Sequence, residues 1–181
     1  LRLQSHEARE HTFRYVTKRQ GKEAEKVPHK NTKKTMSMFS LEGKNAWVTG
    51  ASYGIGFNIA KAFVEAGIKN IIFNDINEAA LEKGLANYKA HGIENVYGYV
   101  CDVTNEDQVK EMVEKVHAEV GQIDILVNNA GVGSASPAEA TPDEEWRRVV
   151  GINLDAVYFV AREVGNVMLK NGYGKIIKKT N

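Results

Sequence analysis

The stretch Val48-Thr49-Gly50-Ala51-Ser52-Tyr53-Gly54-Ile55-Gly56 constrains the fold more than any other. It continues a short apolar run, Ala46-Trp47-Val48. It opens an amphipathic run in which Ile55, Ile59 and Phe63, and Ala62 and Ala66, recur four residues apart. Apolar run, glycine turn and helical period together predict strand, tight loop, helix. The first backbone N–H groups of such a helix lack intrahelical acceptors and sit at the positive end of its dipole, so they suit an anion such as phosphate. Glycine there lets the backbone approach that anion without a Cβ in the way. The spacing is Gly-x-x-x-Gly-x-Gly, not the Gly-x-Gly-x-x-Gly of the common dinucleotide fingerprint. By itself it also suits a plain strand–turn–helix corner.

Downstream the alternation repeats. Lys69 to Asp75 centres on the continuous apolar run Ile71-Ile72-Phe73, as in a strand buried on both faces. Asn77 is placed to cap a helix with Leu81, Gly84, Leu85 and Tyr88 on one side. Asn95 to Cys101 reads as a third strand. Thr104 with Asp107 resembles a capping box before a helix carrying Val109, Met112, Val113, Val116 and Val120, which Gly121 ends. Ile123 to Val127 is a fourth strand, leading into Asn128-Asn129-Ala130-Gly131. Thr141-Pro142-Asp143-Glu144 marks a helix start with a Thr cap and Pro at the first helical position. That helix is expected to run toward Leu169 with Trp146, Val149, Val150, Val157, Ala161 and Val164 on one face. Lys175-Ile176-Ile177 begins a fifth strand. Strands alternating with helices of this length predict βαβ units, hence an α/β fold whose parallel sheet is covered on both faces.

Charge divides the chain in two. Overall it is +1, yet residues 1–38 hold ten Lys or Arg against four Glu and lack a sustained apolar period. They read as a basic leader outside the fold, a solvated tail or translated upstream sequence. A nucleic-acid-binding or organelle-targeting tail is the sharper alternative, and the glutamates count against a transit peptide. Residues 39–181 form the one domain, mildly acidic and without a basic face for nucleic acid. The single cysteine, Cys101, excludes an internal disulfide, fits a reducing cytoplasm and reads as a small buried residue. No apolar run is long enough to span a membrane. No metal is expected: His6 and His11 are five apart and miss the shared helix face of a zinc motif.

In such a sheet ligands gather beyond the C-terminal strand ends, where strand order reverses. The candidate residues therefore close the strands: Gly50 to Gly56, Asp75, Asp102, and Asn128 to Gly131. An acid at Asp75 suits the two hydroxyls of an adenosine ribose and repels a 2′-phosphate. No Arg or Lys stands in the glycine loop, where Tyr53 precedes Gly54, so the pattern favours NAD over NADP. The alternative is that Asp75 only caps the next helix. Asp102 is open between bonding an adenine amino group and beginning the next helix. Asn128 is expected to tie neighbouring strands through its amide. Asn153 falls among valines at helical spacing. A buried amide without partners costs about 1–3 kcal/mol, so it needs backbone, water or a reacting group. A helix carbonyl near Gly151 is its plainer partner.

In order and spacing, TGASYGIG at 49–56, Asp75, Asp102-Val103, NNAG at 128–131 and NLDAVYF at 153–159 resemble the short-chain dehydrogenase/reductase family, from about Phe39 to Ile177. FSLEGKNAWVTGASYGIGF and IIFNDI are similar to its gluconate 5-dehydrogenase group, while the part after Gly131 equally suits a 3-oxoacyl-carrier-protein reductase. The resemblance implies a Rossmann-type doubly wound parallel sheet, with NAD, or alternatively NADP, as cofactor. It implies hydride transfer between C4 of nicotinamide and a carbonyl or secondary alcohol, such as that of a sugar acid like gluconate. A small-molecule substrate and a homodimer or homotetramer packed through the helix around Asn153 follow from it. By the same resemblance Gly50, Ser52, Tyr53, Gly54, Ile55 and Gly56 hold the cofactor phosphates and ribose, and Asp75 selects the ribose. Asp102 and Val103 meet adenine, and Asn128, Ala130 and Gly131 line the nicotinamide side. Asn153 is then the asparagine of the catalytic tetrad, fixing a water in its proton relay.

The family's tetrad also contains a Ser and a Tyr-x-x-x-Lys, in which the lysine charge lowers the tyrosine pKa. Here Tyr15, Tyr53, Tyr88, Tyr97, Tyr99, Tyr158 and Tyr173 are followed four places on by Arg19, Phe57, Gly92, Cys101, Val103, Arg162 and Ile177. The expectation is a fragment or frame-shifted product, its sheet incomplete at the C-terminus, without turnover by itself. A non-catalytic cofactor- or partner-binding module is the rival, and another Rossmann ligand such as a methyl donor a more distant one. An incomplete sheet leaves its fifth strand as an exposed edge, which predicts poor solubility or association.

Overall fold

The computed structural model describes residues 39–179. The readings of 1–38 as a leader, and of the last two residues, fall outside the described residues. Five strands pair in parallel: β1 (Asn45–Thr49), β2 (Asn70–Asp75), β3 (Val96–Val100), β4 (Ile125–Asn128) and β5 (Lys175–Lys178). Their order is β3-β2-β1-β4-β5. The connecting helices are α1 (Gly54–Glu65), α2 (Glu78–Ala90) and α3 (Glu106–Glu119). After β4 come a 3₁₀ turn (Ala138–Ala140), α4 (Asp143–Val150), a π turn (Gly151–Asp155) and α5 (Ala156–Lys170). The chain steps outward from β1 to β3, then resumes on the other side of β1 at β4. The reversal of strand order therefore lies between β1 and β4.

Every residue of β1 is buried, because both sheet faces are covered. Trp47, in register with Ile72 and Leu126, faces Val109, Met112 and Val116 of α3 and Val160 and Val164 of α5. Ala46 and Val48 point the other way, with Ile71, Phe73, Ile125 and Val127, onto Phe57 and Ala60 of α1 and Tyr88 of α2. Each such aliphatic or aromatic side chain contributes ~1.5–3 kcal/mol of burial. The two layers thus fix the ends of β1 and β4, where the reversal opens. Two polar side chains of this interior pair in series. The Trp47 indole N–H donates to Asn74 Oδ1 at 3.1 Å, and Asn74 Nδ2 donates to the Cys101 carbonyl at 3.0 Å.

Helix boundaries and faces depart from the patterns in several places. In α1 the fully buried residues are Gly56, Phe57 and Ala60; Ile59 and Phe63 are half-buried against the same core, while Ile55 at the start of the stripe is exposed. Small residues at 56 and 60 let the helix lie close on the sheet. The α3 cap is Asn105, whose Oδ1 accepts from the Asp107 and Gln108 N–H groups, and not Thr104, whose hydroxyl donates to Asp102. Thr141 does not cap α4; its hydroxyl donates to the Pro137 carbonyl at 3.0 Å, and three acids in the first turn complement the dipole instead. The single long helix expected to Leu169 is broken by the π turn. Extra residues per turn rotate the face, so the buried stripe after it is Ala156, Val160, Val164 and Met168, and Trp146 is 64% exposed. β5 lies at the sheet edge with all four residues exposed. Among the described residues no helix is long and apolar enough to cross a membrane.

Candidate functional site

The turn after β1 is shaped by three glycines with different duties. Gly50 has φ +61°, and a Cβ on it would come within 3.1 Å of the Ala130 Cα, so this position needs both the left-handed backbone and the missing side chain. Gly54, at φ +63°, opens α1 into empty space, with nothing within 4 Å of a Cβ placed there. Gly56 is a packing glycine: a Cβ would fall 2.5 Å from Asn129 Nδ2 and 2.7 Å from the Gly50 carbonyl oxygen. The residue before α1, Tyr53, makes no side-chain cap, and the first turn holds no acid. By contrast α2 and α3 are capped by Asn77 and Asn105 and carry acids in their first turns. The N-terminus of α1 is thus a dipole end left for an external anion.

On one side of this turn stands Asp75, half-buried at the end of β2. Its Oδ1 accepts from the Ile76 N–H at 2.8 Å, and its Oδ2 accepts from the Ser52 hydroxyl. It does not cap α2, a task done by Asn77 through the Ala80 N–H. Asp102, beyond β3, closes a turn: its Oδ1 accepts from the Thr104 N–H at 2.9 Å and the Thr104 hydroxyl at 2.7 Å. Cys101 beside it is buried, and burial first, then the nearby Asp102 and Glu111 carboxylates, push its thiol up to about 12. It is therefore a neutral thiol near neutral pH.

The other side comes from β4 and the loop after it. Thr49 Oγ1 accepts from the N–H groups of Asn129 (3.0 Å) and Ala130 (2.9 Å). Asn129 Nδ2 donates back to the carbonyls of Thr49 (2.9 Å) and Gly50 (3.2 Å). The strand tie expected of Asn128 is thus made by Asn129. Asn128 Nδ2 instead donates to the Val157 carbonyl at 3.3 Å, joining β4 to α5. Which of two adjacent asparagines faces β1 is decided by strand pleat. Asn153, on the π turn, makes a reciprocal pair with the backbone of Val132: its Oδ1 accepts from the N–H at 2.9 Å and its Nδ2 donates to the carbonyl at 2.8 Å. Its partner is therefore the loop after β4, not a helix carbonyl near Gly151.

Between these walls lies a cleft of about 390 Å³, at the reversal of strand order. Gly50, Tyr53, Gly54, Ile55, Gly56, Asp75, Asp102, Val103, Ala130 and Gly131 all line it, so ten sequence-derived candidates converge. Ser52, Asn128 and Asn153 do not line it; each is turned onto a neighbour of the wall. Asn129, within the Asn128 to Gly131 strand end, lines the cleft as well, and sequence reasoning missed the lining residues Asn74, Ile76, Cys101, Val132, Ile152 and Lys179. Lys179 follows β5 and would have emerged had the strand-end rule been carried one strand further. The cleft fits a dinucleotide on three counts: the uncapped α1 terminus for a pyrophosphate, the Asp75 carboxylate for ribose hydroxyls, and a waiting acceptor. That acceptor is Asn129 Oδ1, buried and without a partner among the described residues, in a residue of the cleft wall.

A family model described as short chain dehydrogenase matches residues 44–180. Among curated proteins, the probable NADP-dependent mannitol dehydrogenase of Yarrowia lipolytica is 38% identical over 150 residues, which are 82% of this chain and 53% of that protein. Among solved structures, the 2-keto-3-deoxy-D-gluconate dehydrogenase from Streptococcus agalactiae is 50% identical with TM-score 0.70, covering 79% of this chain and 53% of that one. The gluconate 5-dehydrogenase from Burkholderia cenocepacia, in complex with NADP and tartrate, is 36% identical with TM-score 0.72, covering 80% and 56%. The chain spans about half the length of the curated relatives it matches. A match through β1 to β5, a sheet order with its cleft at the reversal, and glycine-turn residues that converge there agree: this chain belongs to the short-chain dehydrogenase/reductase family.

Proposed function

We propose that the whole protein is an NAD-preferring oxidoreductase acting on a carbonyl or secondary alcohol of a polyhydroxylated small molecule, a sugar acid such as gluconate being the leading candidate. The observation that carries this reading is the uncapped, acid-free N-terminus of α1 facing the Asp75 carboxylate across one cleft. The relatives, a mannitol dehydrogenase and two gluconate-type dehydrogenases, support the substrate class. The mannitol dehydrogenase is NADP-dependent by description, and the Burkholderia cenocepacia enzyme is in complex with NADP. In this chain the acid at the end of β2 faces the position a 2′-phosphate would take, and Lys179 at the far end is the only cation among the described lining residues.

When bound, the nicotinamide supplies a hydride acceptor or donor. The residues of this chain would bind and orient it. The first N–H groups of α1 neutralise the pyrophosphate, Asp75 accepts from ribose hydroxyls, and Val103 gives the adenine an apolar wall. Ala130, Gly131 and Val132 form the wall at the end of β4, and Asn153 holds that wall by gripping both backbone groups of Val132. No tyrosine in the 181 residues has a lysine four places on. We therefore expect this stretch to bind cofactor and not to turn it over.

Titration with NADH, followed by nicotinamide fluorescence, tests the cleft; absorbance at the NADH band with gluconate and NAD tests turnover. Saturable binding without turnover is expected. Turnover by the 181 residues would refute the catalytic part, and absence of binding would refute the cleft. A cytoplasmic location and a dimer or tetramer remain part of the proposal. The assembly is supported by exposed Trp146, Leu154 and Tyr158 along α4, the π turn and α5.

A further inference from the structure

We propose that Ser52 is a positioning residue for cofactor discrimination: anchored from behind by α2, it fixes the orientation of the Asp75 carboxylate at the edge of the cleft. The inference rests on the reading that Asp75 meets the adenosine ribose. Ser52 stands in the glycine turn, yet it is only 2% exposed and does not line the cleft. Its hydroxyl points instead to Asp75 Oδ2, while the Ile76 N–H holds Oδ1. One donor on each oxygen fixes both the plane and the rotation of the carboxylate. Each oxygen keeps a further acceptor direction for a ribose hydroxyl.

A serine steers its neighbour only if its own backbone is steady, and α2 provides that. Asn87 Nδ2 donates to the Ser52 carbonyl at 3.0 Å, and the buried Tyr88 hydroxyl donates to the Ala51 carbonyl at 2.9 Å. Burial holds the Tyr88 phenol well above its ordinary pKa, so it stays a donor. Gly84 allows the approach: a Cβ there would come 2.7 Å from Ser52 Oγ and 2.8 Å from a Phe73 ring carbon. None of these three helix residues touches the cleft. Asp75 and α2 follow one another directly in the chain, so the acid and its brace belong to a single strand–helix unit. A carboxylate held in this way presents fixed charge to a 2′-phosphate. A loose one can rotate aside and admit it.

The test is equilibrium binding of NADH and of NADPH to the full 181-residue chain by nicotinamide fluorescence, for the parent, Ser52→Ala, Asp75→Asn and the double variant. The parent binds NADH in preference. Ser52→Ala removes a hydrogen bond to a charged group and narrows the NADH:NADPH ratio about tenfold. Asp75→Asn removes the preference, and in that background Ser52→Ala leaves the ratio where it is, because Ser52 acts through Asp75. Asn87→Ala loosens the Ser52 backbone but spares the hydroxyl. It narrows the ratio in the same direction by less, and it decides the matter if Ser52→Ala does not fold. Equal weakening of both cofactors with the ratio intact marks a merely structural role and overturns the proposal, as does an effect of the same size in the Asp75→Asn background. If Asp75→Asn itself leaves the ratio unmoved, the NAD reading fails and the Ser52 role with it.

Discussion

The packing glycine gives the sharpest test of the cleft's construction. In Gly56→Ala the new methyl carbon would sit 2.5 Å from Asn129 Nδ2, 2.7 Å from the Gly50 carbonyl oxygen and 2.9 Å from the Ala51 Cα. Two of these three atoms are backbone. The third is held by bonds to the Thr49 and Gly50 carbonyls, so no flexible side-chain end can yield. Either the turn shifts or Asn129 gives up a bond. Overpacking costs about 1–3 kcal/mol and the lost bond about 1 kcal/mol more. For a domain of this size a loss of about 2–4 kcal/mol lowers Tm by roughly 5–15 °C. Because the same shift moves the α1 terminus, NADH affinity falls at least about tenfold. Thermal unfolding by circular dichroism and an NADH titration read the two effects. Gly54→Ala is the control: its Cβ meets no protein atom, so stability falls only by the ~1–2 kcal/mol of left-handed strain while affinity falls further, since the methyl enters the space left for the anion. Gly56→Ala with unchanged Tm and unchanged affinity would refute this account of the turn.

Further expectations concern the supports of the cleft. Thr49→Val strips the acceptor shared by the Asn129 and Ala130 N–H groups, leaving two donors short of partners; a loss of about 2–4 kcal/mol in urea unfolding is expected, and less than about 1 kcal/mol would contradict it. Asn153→Ala releases both backbone groups of Val132, so amide exchange at Val132 should quicken while exchange in β1 stays slow. Cys101 ionises more readily unfolded than folded. Its contribution to stability is therefore complete below its ordinary pKa and is lost as pH climbs toward about 12, so unfolding should become easier between about pH 9 and 12 and Cys101→Ala should flatten that slope. The exposed β5 edge, with Ile176 and Ile177 half-exposed, predicts concentration-dependent association of the 181-residue chain, which a monomeric elution at high concentration would contradict.

The strand–helix alternation was legible because buried parallel strands write continuous apolar runs, as Ile71-Ile72-Phe73 does, and because glycine punctuates the turns. The strand-end rule then delivered Asp75, Asp102 and the glycine turn to one cleft without any knowledge of packing. What stayed hidden depends on geometry that local pattern does not carry. The π turn at Gly151–Asp155 shifts the buried stripe after it to Ala156, Val160, Val164 and Met168, of which only Val164 lay on the expected face. The pleat at the end of β4 sets the different duties of Asn128 and Asn129. Ser52, expected among the phosphates, faces Asp75 because α2 packs behind it, a contact between segments more than thirty residues apart.

Competition between NADH and ADP-ribose for this chain tests the central claim most directly, because ADP-ribose keeps the pyrophosphate and both sugars but lacks the nicotinamide. The account predicts saturable NADH fluorescence that ADP-ribose displaces stoichiometrically. Binding that ADP-ribose leaves untouched, or no saturable binding at all, would contradict the assignment of the α1 terminus and Asp75 as the cofactor's cradle.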